Sequence, residues 1–319
     1  MTTSHQLIQT FQRVVESDTA GLPTDDQTRW VGLHPGQICQ KMADEGVEIS
    51  RYIASELLAF CGFRKRRYAK TMCLRQHGDR DAQFQKIARF QEVFAACGLP
   101  ILSLDTKKKE PLGNFDRGDR YYGQQQRHVN DHDFASASTG IVIPHGIYDV
   151  ERNHGYITLG TSKDTSEFVC DNLLWYWQQA LQWQYPQADA ALILCDGGGS
   201  NHCRHHLVKW DFFNLARQIG IHLLIAHYPA YCSKWNPIEH RLFCHLQRAW
   251  EGAIFHTLDL VKELALTTST QTGLTVSVRI NTKRYTTGRT LSESTRQRLY
   301  EHILVDDEIP QWNYIIKAS

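Results

Sequence analysis

Residues 191–196 read ALILCD, five apolar residues closed by a carboxylate, and this run constrains the chain more than any other. An apolar stretch without alternation belongs to an interior strand covered on both faces, so it requires a sheet with helices on either side. Ligands of open α/β sheets gather beyond the carboxyl ends of such strands, which makes Asp196 a candidate site residue. GGGSN follows, permitting close backbone approach and giving the next helix a polar start. Aspartate before glycines is also common turn chemistry. Neither GxGxxG nor GxxxxGK[ST] is present, so no nucleotide loop is read here.

Four more runs have strand character: 101–104, 140–150, 155–159 and 221–226. Helical patterns occupy 165–183, 205–219 and 237–250; the first has Asp164 or Thr165 as cap and Phe168, Leu174 and Trp175 expected on its buried side. Three strands followed by alternating helix and strand predict an α/β fold with a mixed five-stranded sheet flanked by helices. Two further carboxylates fall at element boundaries. Asp105 ends ILSL just before Lys107, Lys108 and Lys109. The lysines could neutralise it, or they could meet a phosphate backbone while it holds a metal, and the spacing leaves both open. Glu239 precedes Leu242, Phe243, Leu246 and Trp250 at helical offsets, which puts its carboxylate on an apolar face where an unpaired charge is costly. A metal ion or a buried arginine would offset that cost.

The front of the chain reads differently. PGQICQKMADEG places Pro35 at a helix start and Gly46 past its end, with Ile38 and Met42 sharing a face. Ser50 caps a second helix, closed by Gly62, with Ile53, Leu57 and Leu58 expected inward. The segment from Gly62 to Gly78 then holds Arg64, Lys65, Arg66, Arg67, Lys70 and Arg75 and no acid. Helix, turn, helix and a basic segment fit a helix-turn-helix-like DNA-binding region, although paired short helices are also common elsewhere. A further amphipathic helix follows at 82–97, its aromatic stripe, Phe84, Ile87, Phe90 or Gln91, and Phe94, expected in the core. The predicted division is therefore 1–78 all-helical and DNA-binding, 79–100 a linking helix, and 101–319 the α/β catalytic domain with a C-terminal extension.

Composition limits the partners. The chain has 319 residues, 42% apolar and 22% charged, with a net charge of +1, so it is an ordinary globule and its total charge does not announce nucleic acid. No apolar run reaches the roughly eighteen residues of a membrane span, and the polar start is no signal peptide. Nine scattered cysteines without a secretion signal fit a reducing cytoplasm. Cys195, His202, Cys203, His205 and His206 lack paired CxxC and distant HxxxH spacing, so zinc is not expected.

Eight segments, LSLDTKKKEPLGNF, VNDHDF, PHGIYDVERNHGYITLG, DTSEF, LILCDGGGSN, YCSKWNPIEHRLF, TGLTV and WNYII, together resemble the transposases of a bacterial insertion-sequence family, the Azospirillum/Rhodopirellula type. They span about residues 80–316. The resemblance implies a ribonuclease-H-like fold with an Asp-Asp-Glu (DDE) triad at Asp105, Asp196 and Glu239. It also implies two Mg²⁺ or Mn²⁺ ions, Asp105 bridging both, Asp196 holding one and Glu239 the other. The reaction implied is cleavage of double-stranded DNA at element ends and transfer of the 3′ ends into target DNA, by a homo-oligomer of at least two copies. Lys107, Lys108, Lys109, Lys234 and Arg241 join the basic segment as candidate phosphate contacts. Asp131, His132, Asp133, Asn201 and Asn236 are candidates to orient the acids or the DNA. Departures are few. Ala230, Tyr231 and Cys232 stand where the family more usually has proline, glycine and threonine, and His145 replaces an aromatic or similar residue. A full-length member is expected to carry residues before Met1. Two alternatives stay open: a domesticated or inactive DNA-binding relative, and a ribonuclease-H-like nuclease without strand transfer.

Overall fold

Two units make up the chain, Met1–Met72 and Cys73–Ser319. The computed structural model describes residues 4–22, 25–66, 77–118, 124–197 and 205–319.

The first unit is α1 (Ser4–Glu16), a hairpin of β1 (Thr19–Leu22) and β2 (Asp25–Val31), α2 (Pro35–Asp44) and α3 (Arg51–Phe60). The expected helix signals hold. Pro35 occupies the first turn of α2, His34 caps it, and Gly46 follows at φ 77°. Ser50 Oγ accepts the Ile53 N–H at 3.2 Å to start α3. Phe11, Ile38, Met42 and Ala54 are fully buried and form the centre of this unit. Two expectations are corrected. The unit is not all helical, because β1 and β2 pair; a hairpin whose first strand has four residues, one of them Gly21, carries little period-two signal. Ile53 is exposed, since the inward stripe of α3 runs through Ala54 and Leu57 instead.

The second unit is built on one sheet. In chain order it contains α4 (Arg80–Ala96), β3 (Ile101–Thr106), β4 (Glu110–Leu112), β5 (Gly140–Asp149), β6 (His154–Gly160), α5 (Ser166–Tyr176), α6 (Gln182–Gln184), β7 (Ala190–Asp196), α7 (His206–Ile219) and β8 (His222–Tyr228). It continues with α8 (Cys244–Ala249), α9 (Leu258–Leu266), β9 (Thr275–Asn281), α10 (Glu293–Glu301), β10 (Ile303–Val305) and β11 (Asn313–Ile316). The strand order is β10-β11-β8-β7-β3-β5-β6-β9, with β4 on β5. β3, β7 and β8 are parallel, while β5 runs antiparallel to β3 and β6. All five expected strands are present at the centre of this larger mixed sheet. β9 escaped notice because TVSVRIN is only half-buried at an edge, and β10 and β11 are short.

Side-chain alternation sorts the two faces. Leu102, Leu104, Ile147, Ile193, Leu223 and Ile225 meet the α5 and α7 side, where Phe212, Phe213 and Leu173 lie. Ile101, Leu192, Leu194, Leu224 and Ala226 meet Ile87 and Phe94 of α4, so the predicted linking helix is one layer of this unit's core. On α5, Trp175 is partly exposed, and Val169, Leu173 and Tyr176 take the interior with Phe168. Among the described residues no helix is long and apolar enough to cross a membrane.

Candidate active site

Asp105 and Asp196 sit at the carboxyl ends of adjacent parallel strands. The β3–β7 register pairs Ser103 with Leu194. Two residues beyond that pair, Asp105 and Asp196 come level on the same face of the two strands. That face is the one away from α5, because Leu104 and Cys195 between them point into the α5–α7 core.

Glu239 reaches the same edge through a clamp on β3. Ser103 shares the face of Asp105, and its hydroxyl donates to Asn236 Oδ1 while accepting the Ile238 N–H at 3.0 Å. Asn236 Nδ2 donates to Leu104 O at 3.1 Å, and Glu239 N donates to Asn236 O at 3.0 Å. Asn236 is fully buried. The backbone that starts the Glu239 helix is thus tied to the residues just before Asp105. Close packing completes the placement. Gly146 pairs with Asp105 across β3–β5, and a Cβ there would meet Phe243 Cε1 at 2.6 Å and Ile238 Cδ1 at 2.7 Å. Only glycine lets this helix lie so near the sheet.

The expected helix starts at Pro237, takes a π turn at Glu239–Phe243 and continues as α8. Single π turns inside helices recur at functional sites. The hydrophobic spacing is indifferent to that extra residue. Leu242, Phe243, Leu246 and Trp250 are all buried against Tyr148, Ile157 and Leu159, as the pattern requires.

Electrostatics tie the three acids together. The Asp105 carboxyl is pushed up to about 8, first by burial, then by the negative charges of Asp196 and Glu239; the Thr106 N–H, 2.7 Å from Asp105 Oδ1, opposes this. Asp105 also shares a hydrogen bond with Glu239. Like charges this close favour the protonated form of Asp105. Among the described residues no three His, Cys, Asp or Glu side chains form a closed ligand set. An arrangement of carboxylate oxygens that retains a proton for lack of positive charge fits a hard divalent cation, which would displace that proton.

The other sequence candidates divide. Asp131, His132 and Asp133 are exposed, and among the described residues His132 meets Asp131 O and the Phe134 ring. Lys107 is taken up by the fold: its ammonium donates to Gln247 Oε1 at 2.6 Å, lies near Glu110 and the Trp250 ring, and burial lowers its proton affinity. Lys108, Lys109, Lys234 and Arg241 are exposed, as are Arg64, Lys65 and Arg66 in the first unit. Arg241 lines a cavity of about 390 Å³ with His240, His245 and Thr272. Arg67, Lys70, Arg75 and Asn201 lie outside the described residues. His145 is fully buried, edge-on to Phe168, with neither ring nitrogen bonded among the described residues. Burial and Arg279 push it down to about 3, so it serves as a neutral aromatic ring.

Sequence reasoning missed Ser103 and His227. Each is a polar residue inside an apolar run, and that was the available signal. His227 is fully buried, its Nδ1 lies 3.0 Å from Asp196 O, and its Nε2 lies 3.3 Å from the Tyr314 hydroxyl. Asn313 forms a reciprocal amide pair with Gln83 of α4, at 2.7 and 2.8 Å.

The profile of the Rhodopirellula transposase DDE domain matches residues 10–318. No curated protein matches the chain. Similar solved structures include a Mos1 transposase paired-end complex with the left transposon end, 14% identical at a TM-score of 0.44 over 80% of this chain and 68% of that one. Another is the mariner Mos1 paired end complex with Mg, 15% identical at a TM-score of 0.47 over 79% and 68%.

Proposed function

The chain belongs to the Rhodopirellula transposase DDE-domain family, and from that premise we propose that Asp105, Asp196 and Glu239 are its catalytic carboxylates, holding two Mg²⁺ or Mn²⁺ ions. The observation that carries this assignment is the mutual one: two aspartates level on adjacent parallel strands, and a glutamate clamped beside them, together raise the proton affinity of Asp105.

Divalent ions bound there would activate an attacking water or 3′ hydroxyl and stabilise the leaving oxygen of a phosphodiester. The chain's own contribution is to hold the ligands. Asn236 and Ser103 fix the start of the Glu239 helix against β3. The Thr106 N–H orients Asp105, and His227 braces the carbonyl of Asp196. The substrates are double-stranded element ends and target DNA. The exposed Lys108, Lys109, Lys234 and Arg241 are phosphate contacts, and the first unit, with Arg64, Lys65 and Arg66, grips DNA. At least two copies act together, so that both ends are held.

Incubation of the purified chain with element-end DNA and Mg²⁺ or Mn²⁺ tests the reading. Cleavage followed by joining of 3′ ends is expected. Asp196→Asn should lower it on the order of a thousandfold, the scale of losing one transition-state contact. DNA binding without cleavage would favour the inactive relative, and cleavage without joining would favour a simple nuclease.

A further inference from the structure

The segment between β8 and Glu239 carries two aromatic side chains that neither the core nor the carboxylates use. Cys232 N donates to Pro229 O at 3.1 Å, closing a four-residue turn. Tyr231 is the third residue of that turn and has a φ of 62°. Left-handed backbone at this position is where a turn ordinarily takes glycine, and a bulky residue there is strained. Packing does not repay the strain, because Tyr231 is 62% exposed. Trp235 follows, 52% exposed. Its ring is not loose: it meets Phe84 edge-on at 6.1 Å, and the Lys234 ammonium lies 5.3 Å from its centroid. The next residue, Asn236, is bonded to Leu104 O, one residue from Asp105. At its other end the segment leaves β8 at Tyr228, the partner of Asp196, so the stretch carrying both rings joins the strand beside Asp196 to the start of the Glu239 helix.

Exposed, anchored aromatic faces beside a cation suit a flat π system that carries a phosphate. A paired base in a duplex already has both faces stacked, so the ligand must be a base out of its helix. We propose that Tyr231 and Trp235 form a stacking platform for an unpaired nucleobase beside the phosphodiester being processed, with Lys234 on its phosphate. This rests on the reading of Asp105, Asp196 and Glu239 given above. Stacking is sequence-tolerant, so the platform selects strand ends that are open over ends that are paired.

The test uses the full chain and two probes: a duplex with a short unpaired tail carrying 2-aminopurine, and a blunt duplex carrying the same base internally. Tailed DNA should bind about tenfold tighter, with the tail fluorescence quenched on binding, as one base stacking on an aromatic ring gives. Tyr231→Gly and Trp235→Ala should each remove most of that preference and quenching while blunt-duplex affinity changes less than about twofold, and Trp235→Phe should restore it. Tyr231→Gly keeps its thermal stability, because glycine suits the turn, so lost preference there is not lost folding. Equal affinity of the wild type for both probes, or unchanged quenching in both variants, overturns the platform alone. A wild type that binds neither probe overturns the DNA reading together with it.

Discussion

The two ends of the β3–β5 ladder each bury an aspartate, and they treat it in opposite ways. Asp149, paired with Leu102, is fully buried and closed by donors: the Glu151 and Arg152 N–H groups at 3.2 and 3.1 Å, and the Tyr185 hydroxyl at 2.9 Å from both oxygens. Asp105, three residues along β3 from Leu102, has one backbone donor and faces two more acids. Burial raises the proton affinity of both. What separates them is compensation. Donors of the fold complete Asp149, which makes it part of the hairpin, whereas Asp105 is opposed by its own neighbours and needs a charge the chain does not supply.

Removing each carboxylate breaks the comparison if it is wrong. Asp149→Ala strands three donors in the interior and should cost about 3 kcal/mol in chemical denaturation, with or without divalent metal. Asp105→Asn removes repulsion, so without metal it should be at least as stable as the wild type. It should also lose most of the melting-temperature increase that Mn²⁺ gives the wild type. A loss of stability in Asp105→Asn comparable to that in Asp149→Ala would remove the distinction.

A change of pH sharpens it. Asp105 is raised from the usual carboxylate range to about 8, so between those values the folded chain keeps a proton that the unfolded chain releases. Stability without metal therefore falls as pH rises through that window and levels off above about 8. A cation must displace the same proton, so its affinity should rise about tenfold per pH unit up to that point. Titration calorimetry with Mn²⁺ near pH 6 and above pH 8 measures it. Affinity that is flat with pH would mean that Asp105 is already ionised beside its neighbours.

Much of this site could be read in the sequence because two patterns suffice for it. Apolar runs that stop at a carboxylate put Asp105 and Asp196 at strand ends, and the spacing of Leu242, Phe243, Leu246 and Trp250 puts Glu239 over a buried face. The clamp from Asn236 to β3 could not be read, because it joins residues more than a hundred positions apart. The π turn leaves no mark, since the same apolar spacing suits an α-helix. Gly146 looked like any strand glycine until Phe243 lay against it. The left-handed backbone of Tyr231 is likewise a property of the turn and not of the residue.

The smallest expected effect concerns the far side of Asp196. Its carbonyl lies 3.0 Å from His227 Nδ1; a proton on that nitrogen is donated to the carbonyl and leaves Nε2 to accept from the Tyr314 hydroxyl. This chain of bonds runs from β11 through β8 to β7, giving the end of β7 the donor that the β5–β6 hairpin gives Asp149. Unlike those donors it meets the backbone carbonyl of its aspartate and not the carboxylate. Tyr314→Phe removes the outer bond alone and should cost about 1 kcal/mol in stability, with Mn²⁺ affinity changed less than about threefold. A Tyr314→Phe chain that folds normally yet loses Mn²⁺ by tenfold or more would mean that the orientation of Asp196, and not merely the end of β7, is set from the C-terminal strand.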